Sequence, residues 1–318
     1  MTRGRFAPTP SGQLHIGNLY AALLAWLQAR SERGTFMLRI EDIDRPRSKP
    51  QWAAQIVDDL RWLGIDWDEG PDVGGPYGPY SQSEREEDYR AAMERLLRDG
   101  WLYPCYCSRA DLMSLASAPH GLDSEGPAYP GICRRLTAAE RAEKTKRPSY
   151  RFAMPGRAVR FDDLIVGPQQ FPAGAGGDFV VQRSDGIIGY QLAVVVDDAA
   201  MGITDVVRGF DLLDSTPRQL LLYEALSLEP PRFAHVPLIH GPDGSRLSKR
   251  DRSLAAVALR ERGVPPERLI GYIASWLGLH DRPEPMRAAD LIQGFAIENI
   301  QSEPIIMTEE DYRTLAEG

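Results

Sequence analysis

Cysteine is scarce in this 318-residue chain: there are three, an odd number, and Cys105 and Cys107 stand one residue apart. That usage excludes a disulfide scaffold and leaves free thiols or a metal site. No uninterrupted apolar run reaches the roughly 18 residues that span a bilayer, and the opening MTRGRFAPTP lacks the charged-then-apolar layout of a signal peptide. A soluble, cytoplasmic protein is the expectation. Positive charge is not in excess either, since 37 Lys and Arg against 45 Asp and Glu give a net charge of −8. Any nucleic-acid partner would have to be held by local patches. The Gly-x-Gly-x-x-Gly dinucleotide fingerprint is missing, which argues against a nicotinamide dehydrogenase, and no internal repeat or low-complexity tract is visible.

What is present is 43% apolar residues over a length that suits two lobes with a large core. The segment RFAPTPSGQLHIGN, from Arg5 to Asn18, joins a short apolar run to a polar turn and then to the apolar LYAALLAWLQAR, a strand–turn–helix pattern. The unpaired N–H groups and positive dipole end of such a helix suit a phosphate or carboxylate. His15 stands where a polyanion would arrive, and Gly17 lets a flat base or ribose lie on the backbone.

A strand is expected over Thr35–Ile40, running into the acids Glu41, Asp42 and Asp44, which suit a substrate ammonium or a magnesium ion. The spacing predicts an amphipathic helix from Lys49 to Gly64 and a surface helix from Glu84 to Leu97, with a Gly/Pro-rich crossing loop between them. Alternating short strands are expected after Ser149. A hairpin turn at Ser184–Gly186 should lead into a buried strand, Gln191–Val196, ending at Asp197 and Asp198. A further apolar stretch, Ile203–Val207, ends at Arg208. Arg5 and Arg208 each offer a planar fork of donors suited to a carboxylate, with Tyr190 adding a hydroxyl; structural salt bridges from Arg208 to Asp197, Asp198 or Asp211 are the bland alternative. The loop HGPDGSRLSKRD, carrying Ser248 and Lys249, could close over phosphates. From Ser253 onward the pattern is helical, with one helix over Leu254–Glu261 and another started by Pro265–Pro266.

Cys105, Cys107 and Cys133 could share one zinc ion, which takes four ligands. By residue chemistry the fourth is His120 or, less suitably, Asp123. Between Arg134 and Arg151, Arg134, Arg135, Arg141, Lys144, Lys146, Arg147 and Arg151 outnumber Glu140 and Glu143, a local balance of +5. A solvated face and an RNA-contact surface fit that stretch equally well.

Pro8, Pro10, Gly12, His15, Ile16 and Gly17 resemble the "HIGH" signature of class I aminoacyl-tRNA synthetases, in the form of the glutamyl and glutaminyl branch, with Asn18 replacing the second His. RIEDIDRPR is similar to a segment of the same branch. RLSKR resembles its "KMSKS" loop, keeping Ser248 and Lys249 while Arg246 and Arg250 replace the first Lys and last Ser. The resemblance runs almost continuously over roughly the first 280 residues. It implies an α/β, Rossmann-like nucleotide-binding core, its first half at 1–100, interrupted by a zinc-bearing insertion (101–150), with the remainder of the insertion and the second half of the core at 151–240 and the signature loop and a helical subdomain at 241–318. It further implies glutamate contacts at Arg5, Ala7, Thr9, Glu41, Tyr190 and Arg208, ATP contacts at His15, Gly17, Ser248 and Lys249 with His15 and Lys249 catalytic, and magnesium accompanying ATP.

The Cys-x-Cys followed by Tyr-x-x-x-Cys, with Tyr129 and Cys133, resembles the zinc pattern of a short paralogous family, the glutamyl-queuosine tRNA(Asp) synthetases. That resemblance points to Tyr129 as the fourth ligand. An anticodon-binding domain is not expected after the helical subdomain, and a monomer is. The implied activity is formation of glutamyl-adenylate and transfer of glutamate to the cyclopentenediol of queuosine in the anticodon of tRNA(Asp). A truncated glutamyl-tRNA synthetase charging a 3′ end, a glutaminyl enzyme disfavoured by the paired arginines, and a non-catalytic glutamate- or RNA-binding paralogue are the alternatives. Queuosine dependence, amino-acid preference and pyrophosphate exchange discriminate among them.

Overall fold

Eleven strands and nine helices are seen in a computed structural model that describes residues 1–108, 111–112, 129–247 and 252–317. In chain order the strands are β1 (Arg3–Phe6), β2 (Thr35–Leu38), β3 (Leu102–Cys105), β4 (Ser149–Phe152), β5 (Val159–Asp163), β6 (Gly167–Phe171), β7 (Phe179–Gln182), β8 (Asp205–Gly209), β9 (Arg232–Val236), β10 (Ile239–His240) and β11 (Ile305–Ile306). The helices are α1 (Ile16–Ser31), α2 (Pro50–Trp62), α3 (Glu86–Arg98), α4 (Ala138–Ala142), α5 (Tyr190–Ala200), α6 (Thr216–Ala225), α7 (Ala256–Glu261), α8 (Pro266–Trp276) and α9 (Glu309–Glu317). No helix among the described residues is long and apolar enough to cross a membrane.

The main sheet has the order β2-β1-β8-β9-β5-β6, parallel except for its last pair. Parallel neighbours require crossovers, and these put α1 against β1 and β8. Because α1 is covered by the sheet and by the segment from Leu254 to Leu315, it is apolar nearly all round and eleven of its residues are buried. By contrast α3 buries only Tyr89, Met93 and Leu96, with Glu86, Glu87 and Asp88 in its first turn and Arg95 and Arg98 in its last, a charge layout that favours the helix dipole. β3, β4 and β7 form a separate antiparallel sheet beside the main one.

The expected strand at Gln191–Val196 instead lies in the first half of α5. A short apolar run rich in Val satisfies either period, and length and flanks did not separate the two. The hairpin turn is there, with Arg183 N–H donating to Ile187 O at 2.9 Å, but beyond Ile188 the chain coils. Gly189 caps the helix where an added Cβ would stand 2.7 Å from Val180 O, so the close pass over β7 needs glycine. The helix changes what Asp197 and Asp198 do: they sit in its last turn, where the dipole disfavours carboxylates, and are met by arginines from other elements.

Candidate active site

A cavity of about 320 Å³ opens at the carboxyl ends of β1, β8 and β9, the edge at which open α/β sheets take ligands. Arg5, Ala7, Thr9, Glu41, Tyr190 and Arg208 all line it, together with His15 and Gly17. Residues far apart in sequence thus meet because β1 and β8 are hydrogen-bonded neighbours and α5 starts beside them.

Behind one wall, Arg5 and Glu41 join a network of paired charges. Arg39, fully buried, reaches Asp198 at 2.7 Å, Glu41 at 3.3 Å and Asp197 at 3.7 Å. Asp198 also takes the Nε of Arg5 at 3.3 Å. Asp197 is further held by Arg85 at 2.7 Å, Gln82 at 2.8 Å and the hydroxyl of Tyr89. Burial pushes the Asp198 carboxyl up, but Arg5 and Arg39 outweigh it and hold the group below its usual range. For Glu41 burial wins over Arg39 and Arg5, and its carboxyl is pushed up to about 7. A cation arriving beside it would favour the ionised form. Arg39 was not singled out by sequence reasoning, although it lies two residues before Glu41 in RIED.

On the opposite wall the groups that hold Arg208 are neutral. Arg208 forms none of the salt bridges to Asp197, Asp198 or Asp211 that a structural role would give it. Its three nitrogens donate instead to His235 Nε2 at 3.0 Å, Gln219 Oε1 at 2.8 Å and Thr216 Oγ1 at 2.8 Å. Burial pulls its guanidinium below the usual range, yet arginine stays a cation near neutral pH. His235 is itself wholly buried, with Nδ1 2.6 Å from Asp163 Oδ2. Burial drives its pKa down to about 4 against the pull of Asp163, so the imidazole is neutral. Sequence reasoning missed His235 and Asp163. The only available hint was a lone histidine in an apolar strand, and its partnership with Arg208 comes from a β8–β9 register that sequence does not supply.

At the α1 end of the cavity, His15 is the N-cap of the helix. Its Nδ1 accepts from Gly17 N–H at 3.0 Å, while Asn18 Oδ1 accepts from His15 N–H at 3.1 Å. The two contacts form a capping box, of which Asn18, the departure from the signature, is the reciprocal half. A Cβ on Gly17 would stand 2.9 Å from the imidazole, so glycine keeps the ring seated. Arg246 reaches into the cavity wall and pairs with Asp211 at 2.6 Å. Ser248 and Lys249 lie outside the described residues.

A second cluster lies on the small sheet. The Sγ atoms of Cys105, Cys107 and Cys133 lie within 4.8 Å of one another. Tyr129 Oη stands 3.4 Å from Cys105 and 3.5 Å from Cys107, and accepts from Cys133 N–H at 3.0 Å. Three sulfurs and one phenolic oxygen therefore converge as a four-ligand set would. Donors surround it as they would thiolates: Arg151 Nε is 3.3 Å from Cys105 Sγ and Tyr106 N–H is 3.4 Å from Cys133 Sγ. The residues present fit a structural zinc site. His120 and Asp123 lie outside the described residues. Arg151 is buried here and cannot belong to an RNA-contact face, whereas Arg134, Arg135, Lys144, Lys146 and Arg147 are exposed.

Residues 1–312 match the model of the catalytic domain of class I tRNA synthetases of the E and Q type. The chain is 61% identical to the glutamyl-Q tRNA(Asp) synthetase of Symbiobacterium thermophilum, over 100% of this chain and 99% of that protein. It is 49% identical to the enzyme of the same name from Nitratidesulfovibrio vulgaris, over 96% and 95%. A crystal structure of a glutamate tRNA ligase from Elizabethkingia meningosepticum, in complex with its amino acid, superposes with a TM-score of 0.86 at 30% identity, covering 99% of this chain but 68% of that one. By sequence match and by fold alike, the chain belongs to the class I aminoacyl-tRNA synthetases of the glutamyl and glutaminyl branch.

Proposed function

We propose that this ligase activates glutamate with ATP and transfers it to the cyclopentenediol of queuosine in tRNA(Asp). The observation that carries the first half is one cavity in which an acidic group, two arginines and a capped helix N-terminus face the same space. Glu41 would hold the α-ammonium, Tyr190 and the two arginines would share the carboxylates, and Ala7 and Thr9 would supply contacts along the β1 turn. A carboxylate oxygen of the α-carboxyl then attacks the α-phosphorus in line, the bond to the β-phosphate oxygen breaks, and pyrophosphate leaves. Little covalent work falls to the protein, so rate comes from holding the two oxygens in line and from neutralising phosphate charge. His15, Gly17 and the α1 N–H groups would steady the nucleotide, and Ser248 and Lys249 would close on its phosphates. Magnesium carried in with ATP supplies further charge neutralisation.

In the second step a queuosine hydroxyl oxygen bonds to the acyl carbon, the bond to phosphate breaks, AMP leaves, and the hydroxyl proton passes to solvent. Full-length similarity at 61% to a glutamyl-Q tRNA(Asp) synthetase supports this acceptor. Zinc held by Cys105, Cys107, Tyr129 and Cys133 would tie β3 to the segment before α4, and the exposed Arg134, Arg135, Lys144, Lys146 and Arg147 would offer phosphate contacts.

The test is transfer of labelled glutamate to unfractionated tRNA that contains or lacks queuosine. Labelling confined to queuosine-containing tRNA(Asp) is the expected result. Labelling of tRNA(Glu) regardless of queuosine would overturn the acceptor and leave a conventional charging enzyme, and glutamate binding without any pyrophosphate exchange would overturn catalysis.

A further inference from the structure

We infer that Asp163 and His235 are positioning residues for Arg208: the carboxylate fixes the histidine tautomer whose bare Nε2 receives the arginine Nε–H. Arg208 is thereby oriented without being neutralised, and its remaining donors and whole charge are left for a carboxylate of glutamate, on which reading the assignment depends.

The three residues sit on adjacent parallel strands. Asp163 ends β5, His235 lies on β9, and Arg208 on β8 is its partner in register. Asp163 Oδ1 accepts three backbone N–H groups, from Ile165 at 3.0 Å, Val166 at 3.1 Å and His235 at 3.2 Å. Oδ2 faces His235 Nδ1 at 2.6 Å. Burial raises the Asp163 carboxyl, but the His235 contact and those backbone donors outweigh it and keep the group ionised. An ionised carboxylate has no proton to give, so the imidazole proton resides on Nδ1 and Nε2 is a bare acceptor.

The other two acceptors around Arg208 are also neutral and oriented. Gln219 must turn its oxygen to the arginine, because its Nε2 donates to Gln191 Oε1 at 2.9 Å, and Gln191 in turn donates to Ser215 Oγ at 2.9 Å. Three of five guanidinium N–H donors are thus placed by neutral groups. A carboxylate in the position of His235 would give Arg208 a permanent counter-ion in competition with the substrate.

Asp163→Asn tests the tautomer directly. The three backbone donors hold the amide oxygen where Oδ1 was, so the new NH₂ faces Nδ1. The imidazole proton must then move to Nε2, where it meets the Arg208 Nε–H and is left Thr216 Oγ1, 3.2 Å away, as its acceptor. With five histidines in the chain, the tautomer of His235 is readable by ¹⁵N NMR: Nδ1 protonated in the native protein, Nε2 protonated in D163N. In glutamate-dependent pyrophosphate exchange, D163N should raise the KM for glutamate at least tenfold and leave the KM for ATP within about threefold. His235→Gln, which keeps an acceptor for Arg208, should stay near native, whereas His235→Leu should behave like D163N.

A native Nε2-protonated ring, or KM values for both substrates moving together, would overturn the role. Should D163N fail to fold, the native spectrum and the Gln/Leu pair at position 235 give the same decision, with equal effects of the two overturning it. A native protein with no glutamate-dependent exchange and no glutamate binding would sink the glutamate reading first, and this role with it, whatever the spectrum shows.

Discussion

The two walls of the cavity present arginines in opposite states. On the β1 side Arg5 shares Asp198 with Arg39, in a lattice where every charge has a partner. On the β8 side Arg208 is equally buried and touches only neutral acceptors. Pairing buried charges holds a structure together, since removing one partner strands the other. Leaving a buried cation without a counter-ion costs stability but stores attraction for an anion that arrives later. One wall meets the cavity with charges already paired, the other with a charge still unpaired.

The comparison is most easily broken at its hub. Arg39→Met should strip Glu41, Asp197 and Asp198 of their shared partner and cost about 3–5 kcal/mol, the range for breaking a buried ion pair. A denaturant titration reads this as a fall of that size in the unfolding free energy, and an unchanged midpoint would refute the hub. Arg208→Gln should do the reverse: a rise in KM for glutamate on the order of a hundredfold, from the ~2–5 kcal/mol of a truncated buried charge pair, with the denaturation midpoint unchanged or raised.

A smaller effect sharpens the role of Glu41. Because its carboxyl is pushed up to about 7 and only the ionised form attracts an ammonium, glutamate affinity should fall as pH drops through 7. The expected rise in KM is roughly tenfold per unit on the acid side, and E41Q should abolish that slope. Smallest for the cavity is the zinc cluster. Chelation should lower the melting midpoint of the protein while leaving the KM for glutamate within about twofold, because the three thiols cluster at the end of β3, on the other sheet, outside the cavity lining.

Local chemistry was legible in the sequence wherever a motif is contiguous. RFAPTPSGQLHIGN and RIEDID carry their own turn residues and charges, and Arg5, Glu41, His15 and Gly17 all came to the cavity. The Cys-x-Cys and Tyr-x-x-x-Cys segments likewise met. What did not show were partners supplied by register and by helix phase. Asp163, His235 and Arg208 are joined by strand order, which no local pattern encodes. The Val-rich run before Asp197 fits both periods, and only as a helix does it send Asp197 to Arg85 and Asp198 to Arg5 and Arg39. Arg208 alone in the sequence could have been a salt-bridge residue; its neutral surroundings required three distant segments to be brought together.

The short parallel pair β10–β11 has a consequence for how the site comes into being. Ile239 and Leu238 line the cavity, and both are anchored by a segment much later in the chain: Ile305 N–H donates to Leu238 O at 2.9 Å and Met307 N–H to His240 O at 3.0 Å. In synthesis from the N-terminus, residues 305–307 emerge after the strands that carry Arg5 and Arg208, so the Leu238–His240 edge of the cavity is fixed after them. A chain without residues 305–307 therefore lacks the backbone pairing that fixes Leu238 and Ile239 at the edge of the cavity, however well its arginines are set.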